Sequence, residues 1–184
     1  AGGTALDSWG DDAINNGDIV YSSGVSGTAV SFDGSYSLSK SLSTINFDST
    51  QDFVVSIWFK VTGTPALGNV MGIVGNTGGS GRWAIDYYFE GDQLRFSTRS
   101  AGTYNVATSF TTSDHNKWHH AVLVHDSSGS VRGYLNGEYI GQDSEGIWDA
   151  GNFIYVAGAN AAIGGSPVNL IGDIDELRVY DSLP

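Results

Sequence analysis

Apolar and polar residues alternate with a period of two along most of this chain, and no helical period lasts beyond about a turn. The segment 52–61 (DFVVSIWFKV) puts Phe53, Val55, Ile57 and Phe59 on one face and Trp58 and Lys60 on the other. In 82–89, Trp83, Ile85, Tyr87 and Phe89 share a face, opposite Arg82, Asp86 and Tyr88. In 93–99, Leu94, Phe96 and Thr98 point one way, and Arg95 and Arg99 point the other. Further strands are expected at 28–32, 118–125, 131–135, 139–140, 153–157 and 172–180, and 68–75 is an apolar run without clear alternation. Asp33-Gly34, Gly91-Asp92 and Asn136-Gly137 punctuate them as turns. About ten to thirteen short antiparallel strands joined by polar turns imply two packed sheets. Neither an internal repeat nor a linker interrupts the chain, so residues 1–184 read as one all-β domain.

The turn-rich reading agrees with 26 glycines in 184 residues against only 3 prolines. Charge narrows the partners. Eight basic against twenty acidic residues give a net charge of −12, which opposes nucleic acid or an anionic membrane surface as a bulk partner. Asp supplies most of the acid, and hard oxygen ligands of that kind suit divalent cations. There is no cysteine, so disulfides and thiolate metal sites are excluded. No apolar stretch is long enough to span a bilayer, and no basic-then-apolar signal opens the chain. A cysteine-free β domain rich in Asp, Gly, Ser and Thr fits a bacterial extracellular protein, and a monomeric module cut from a longer chain is expected.

Four blocks carry a resemblance. Residues 117–124 (KWHHAVLV) and 131–137 (VRGYLNG) resemble the "WHHVAVV … VRLYVDG" signature of laminin G-like domains. Residues 53–60 (FVVSIWFK) resemble their "FTISAWVK" strand, and 27–34 (GTAVSFDG) resembles "GKALSFDG". The closing GDIDELRVY, 172–180, resembles "GxIDEVRIY". This laminin G-like, concanavalin A-like resemblance covers about residues 27–180 and implies a two-sheet antiparallel jelly-roll sandwich. It also implies a structural calcium ion, held by Asp33 and the Gly34 backbone, by Asp175 at the start of the closing strand, and by Asp7 from the opening loop. Asp33 as a plain turn residue, with Asp173 and Asp175 facing solvent, is the bland alternative.

Side-chain parity suggests where a ligand would bind. If the large apolar residues face the interior, Trp58, Lys60, Arg82, Asp86, Tyr88, Arg95 and Arg99 lie on outer strand faces. Aromatic rings offer flat apolar surface to a sugar, and Arg offers paired donors to a carboxylate or sulfate. A groove for a polysaccharide, acidic or sulfated ones included, is therefore expected. Rim loops carrying Tyr104, Trp148, Tyr155 and Asn160 are the competing location. His119 and His120 are adjacent, so on a strand they face opposite sides and cannot share a metal, and the resemblance of the WHH block implies a structural role for His120. Retaining glycosidases need two carboxylates about 5–5.5 Å apart, yet Glu90, Glu138, Glu145 and Glu176 form no E-x-D-x-x-E pattern. His119, Tyr88 and Arg95 mimic a polysaccharide-lyase site only loosely. The expectation is a non-catalytic carbohydrate-binding module; a protein-binding adhesion module and a hydrolase or lyase of the same fold are the alternatives.

Overall fold

The structure is a computed structural model, and it describes residues 4–5, 13–15, 19–42, 47–48, 50–76, 82–99, 106–144, 151–159, 162–163 and 165–183. Two sheets face each other. One has nine strands, in the order β1 (Thr4–Ala5), β2 (Ala13–Asn15), β5 (Leu38–Ser41), β14 (Phe153–Val156), β7 (Val70–Asn76), β8 (Arg82–Tyr88), β9 (Gln93–Arg99) and β10 (Val106–Ser109). Its ninth, β15 (Pro167–Asn169), runs parallel beside β7. The other sheet has the order β13 (Glu138–Ser144), β12 (Ser130–Leu135), β11 (His119–Asp126), β6 (Phe53–Val61), β16 (Ile171–Tyr180), β4 (Thr28–Asp33) and β3 (Val20–Ser23). This is the expected antiparallel jelly-roll sandwich.

Alternation builds the interior. From β6, Phe53, Val55, Ile57 and Phe59 are wholly buried against Trp83, Ile85, Tyr87, Leu94 and Phe96 of the facing sheet. Aromatic contacts knit the layers, with Phe47 tilted against Trp83 at 4.8 Å and Phe110 meeting Tyr87 edge-on at 5.1 Å. Burying each such ring contributes about 2–3 kcal/mol. The Asn136-Gly137 turn joins β12 to β13 with both residues at positive φ, 53° and 82°, as a type I′ hairpin requires.

Not every strand alternates. All seven residues of β7 are buried, as are Trp83 to Tyr87 of β8. One face of these strands meets the core, and the other is covered by chain returning from β14. That cover decides what the outer face can do.

Candidate functional site

After β14 the chain is pinned to β7 by the Ala157 N–H, which donates to the Ile73 carbonyl at 2.8 Å. It then crosses the outer side of the nine-stranded sheet and comes back to β7 as β15. Leu170 N–H donates to Ala157 O at 3.0 Å and Ala159 N–H to Asn169 Oδ1 at 2.9 Å, which closes the base of an Ω-type loop. On the returning limb Ser166 N–H donates to Asn69 Oδ1 at 2.8 Å, and Asn69 N–H to Ser166 O at 3.1 Å.

Under this loop lie two residues expected to meet ligand. Asp86 and Arg95 are register partners on β8 and β9, and parity does send both outward. They are not exposed: Asp86 is 0% and Arg95 2% accessible. Arg95 Nε donates to Asp86 Oδ1 at 2.5 Å, and its Nη2 donates to the Ile163 carbonyl at 3.1 Å. The Ile163 N–H donates to Asp86 Oδ2 at 2.9 Å. The ion pair thus holds both polar groups of one peptide residue in the crossing loop. Tyr88 covers the guanidinium, 5.0 Å from its ring centre. Burial pushes the Asp86 carboxyl up to about 6, against the pull of the Arg95 charge and its hydrogen bonds. Asp86 and Arg95 therefore fasten a loop and do not line an open groove.

The remaining expected residues divide. Arg82 is exposed and sits in register with Arg99. Trp58 and Lys60 lie on the outer side of the other sheet, so the expected single groove is not assembled. There Trp58 stacks on His120 at 5.0 Å, and His120 Nε2 lies 2.8 Å from Ser56 Oγ. Lys60 pairs with Asp173 at 2.6 Å and hangs over the Trp118 ring. Tyr104, Trp148, Asn160 and Asp7 lie outside the described residues. Tyr155 belongs to β14 rather than to a loop and stacks on Phe153.

Of the expected calcium ligands, Asp33 and Asp175 lie at separate places on the sheet. Asp33 pairs with Ile171, whereas Asp175 lies four residues further along β16, about 13 Å at 3.3 Å per residue. One ion binding at 2.3–2.6 Å cannot bridge that span. Their oxygens are also engaged. Asp33 Oδ1 accepts from Ser35 N–H at 2.8 Å and Ser35 O–H at 2.5 Å, which holds its carboxyl below the ordinary carboxylate value. Asp175 accepts from the N–H groups of Val25 (2.8 Å), Ser26 (3.1 Å) and Glu176 (2.8 Å), tying a distant hairpin to β16. The Gly34 carbonyl accepts from Asn169 Nδ2 at 3.2 Å. Among the described residues, no three His, Asp or Glu side chains gather closely enough to hold a metal ion.

What does stay open is a cleft of about 650 Å³ at one end of the sandwich. Three connections build it: the turn after β4 with Asp33, the segment 65–67 before β7, and the base of the Ω-type loop with Ala159, Val168 and Asn169. Its walls are apolar, with Leu67 82% exposed at the lip and Ile171 from β16 beneath. Asn169 stiffens it by donating to Gly34 and accepting from Ala159, so turn and loop move as one. Leu67, Val168 and Asn169 were not expected as site residues. The available hint was apolar residues among turn formers, in 65–68 (PALG).

The family model for laminin G-like chains of the concanavalin A-like lectin/glucanase superfamily, Laminin_G_3, matches residues 32–183. The chain belongs to this superfamily. In its WHH block, His119 points inward, 5.8 Å from the Phe59 ring, with Nε2 2.9 Å from the Asp114 carbonyl, while His120 points outward. No curated protein sequence matches the chain significantly. Among solved structures it resembles the binding domain of Paraclostridial Mosquitocidal Protein 1, with a TM-score of 0.69 and 16% identity over 97% of this chain and 46% of that one. It is also similar to domain 4 of AbnA, a GH43 extracellular arabinanase from Geobacillus stearothermophilus, solved with arabinotriose (TM-score 0.55, 18% identity, 90% of this chain and 76% of that one). A third is the carbohydrate-binding module CBM66 from Bacillus subtilis (0.52, 10%, 88% and 91%). These likenesses establish the fold. The chain spans less than half the length of the toxin binding domain.

Proposed function

We propose that this chain is a non-catalytic, extracellular carbohydrate-binding module whose ligand lies in the rim cleft. The cleft itself carries this reading: it is an open cavity of about 650 Å³, within the usual size of ligand sites, with apolar walls and a carboxylate at its edge. A sugar ring would lay its C–H face on Leu67, Val168 and Ile171 and donate a hydroxyl to Asp33. Fold relatives that are carbohydrate-binding modules support it by analogy. The buried carboxylates Asp86 and Asp173 are each paired with a cation, which suits a structural role for both.

The ligand is a neutral glycan. Among the described residues no cation lines the cleft, and Arg95, on which an acidic ligand would have relied, is closed inside an ion pair. A second reading rests on Arg82: exposed and in register with Arg99, it offers an anionic sugar a site at the edge of the nine-stranded sheet. A glycan array separates the two. Binding to neutral polysaccharides supports the cleft; binding confined to uronic or sulfated chains, lost in Arg82→Ala, supports the edge. A blank array with tight capture of a protein would make the chain an adhesion module.

A further inference from the structure

We infer that Asp86 and Arg95 are positioning residues for the rim cleft, setting its loop wall through the Ile163 peptide without touching ligand. The inference rests on the cleft being the binding site, but its main readout does not. Three observations carry it. The pair is buried on the outer side of a sheet, where ionic residues ordinarily meet water. The pair holds both peptide groups of Ile163, as acceptor of its N–H and donor to its carbonyl. Ile163 lies on the same Ω-type loop whose base supplies Ala159, Val168 and Asn169 to the cleft.

The sheet beneath is built to receive the loop closely. Gly72 stands beside Asp86 on β7, and Ala107 beside Arg95 on β10, so no large side chain lifts the loop away. Among the described residues no histidine or second carboxylate makes a contact with the pair; Tyr88 packs on Arg95, and the loop presents main chain. With Asn169 tying the loop base to the Gly34 carbonyl, tip and base are fixed at two points about a loop length apart. Releasing the tip loosens the wall.

The test is amide hydrogen exchange and side-chain amide NMR on the whole chain. Arg95→Met and Asp86→Asn are compared with wild type, the Asn retaining an acceptor for the Ile163 N–H. Protection of the Ile163 amide is expected to fall about 10- to 100-fold in Arg95→Met and less in Asp86→Asn. The Asn169 side-chain amide signals should move in both, while the backbone amide shifts of Phe59 and Leu123 in the core stay where they are in wild type. Unmoved Asn169 signals would overturn the inference. So would shifts of the Phe59 and Leu123 amide signals as large as those at Asn169, which would make the change a general one rather than one of the loop. A blank glycan array with moved Asn169 signals would sink the cleft as a binding site and leave the coupling standing.

Discussion

Replacing Arg95 by Met keeps an aliphatic stem of similar reach but strips the cation from a wholly buried carboxylate. Two groups lose donors at once: Asp86 Oδ1, 2.5 Å from Nε, and the Ile163 carbonyl, 3.1 Å from Nη2. Breaking a buried pair from one side costs about 3–5 kcal/mol, because the remaining carboxylate is out of water and keeps only the neutral Ile163 N–H as a donor. Asp86→Leu should cost a comparable amount by orphaning the guanidinium. The double variant Asp86→Leu/Arg95→Met removes both charges and leaves only the Ile163 peptide groups to satisfy, at about 1–3 kcal/mol each if they stay buried. It should therefore unfold at higher urea than either single variant. With a slope of about 2 kcal/mol per molar, each single variant loses roughly 1.5–2.5 M in midpoint. The pH dependence adds a check. The folded carboxyl sits at about 6, above its ordinary 3.8, so its stability contribution is full below 3.8 and is lost as pH rises through about 6. Without Arg95 the carboxyl moves higher still, and the deficit of Arg95→Met should widen between pH 5 and pH 8. Urea midpoints at both pH values decide it. A single-variant loss under about 1 kcal/mol, or a double variant no better than the singles, would refute the reasoning.

Other expectations follow from the same geometry. Burial holds His125 below its ordinary 6.5, so the stability it brings is present above 6.5 and is lost as pH falls; a ring titration midpoint by NMR at or above 6.5 would contradict this. Gly133→Ala would put a Cβ 2.7 Å from Cδ2 of the buried Phe96, costing about 1–3 kcal/mol, and an unchanged thermal midpoint would show the core yields more easily than described. Asp175→Ala should speed amide exchange at Val25 and Ser26, while Asp33→Ala leaves those two unaffected. A fall of several degrees in melting temperature under EDTA, reversed by added calcium, would show the expected structural ion; an unchanged melting temperature would count against it.

Much of the sandwich could be read from period two, because each inward residue of β6, β8 and β9 obeys one local rule. The Asn136-Gly137 hairpin was equally visible, since a type I′ turn needs those residues locally. The fate of Asp86 and Arg95 was not. Parity correctly turned them outward, but what covers an outer face depends on a loop some seventy residues away in sequence. One sign was available: residues 68–75 lack alternation, as a strand buried on both faces does, and β7 is such a strand. Trp58 and Lys60 were grouped with Arg82 because parity tells in from out but not which sheet a strand joins. The rim cleft escaped notice for a related reason. Its walls are single residues from three connections, brought together only by closure of the sandwich.

The most direct test is a glycan array with wild type, Arg82→Ala and the double variant Leu67→Ser/Asp33→Ala. Leu67 is 82% exposed and Asp33 lies in a surface turn, so the double variant should fold normally. Wild type and Arg82→Ala should bind the same neutral polysaccharides, with at least about tenfold weaker binding in the double variant. Neutral-glycan binding that survives loss of both cleft side chains would contradict the account.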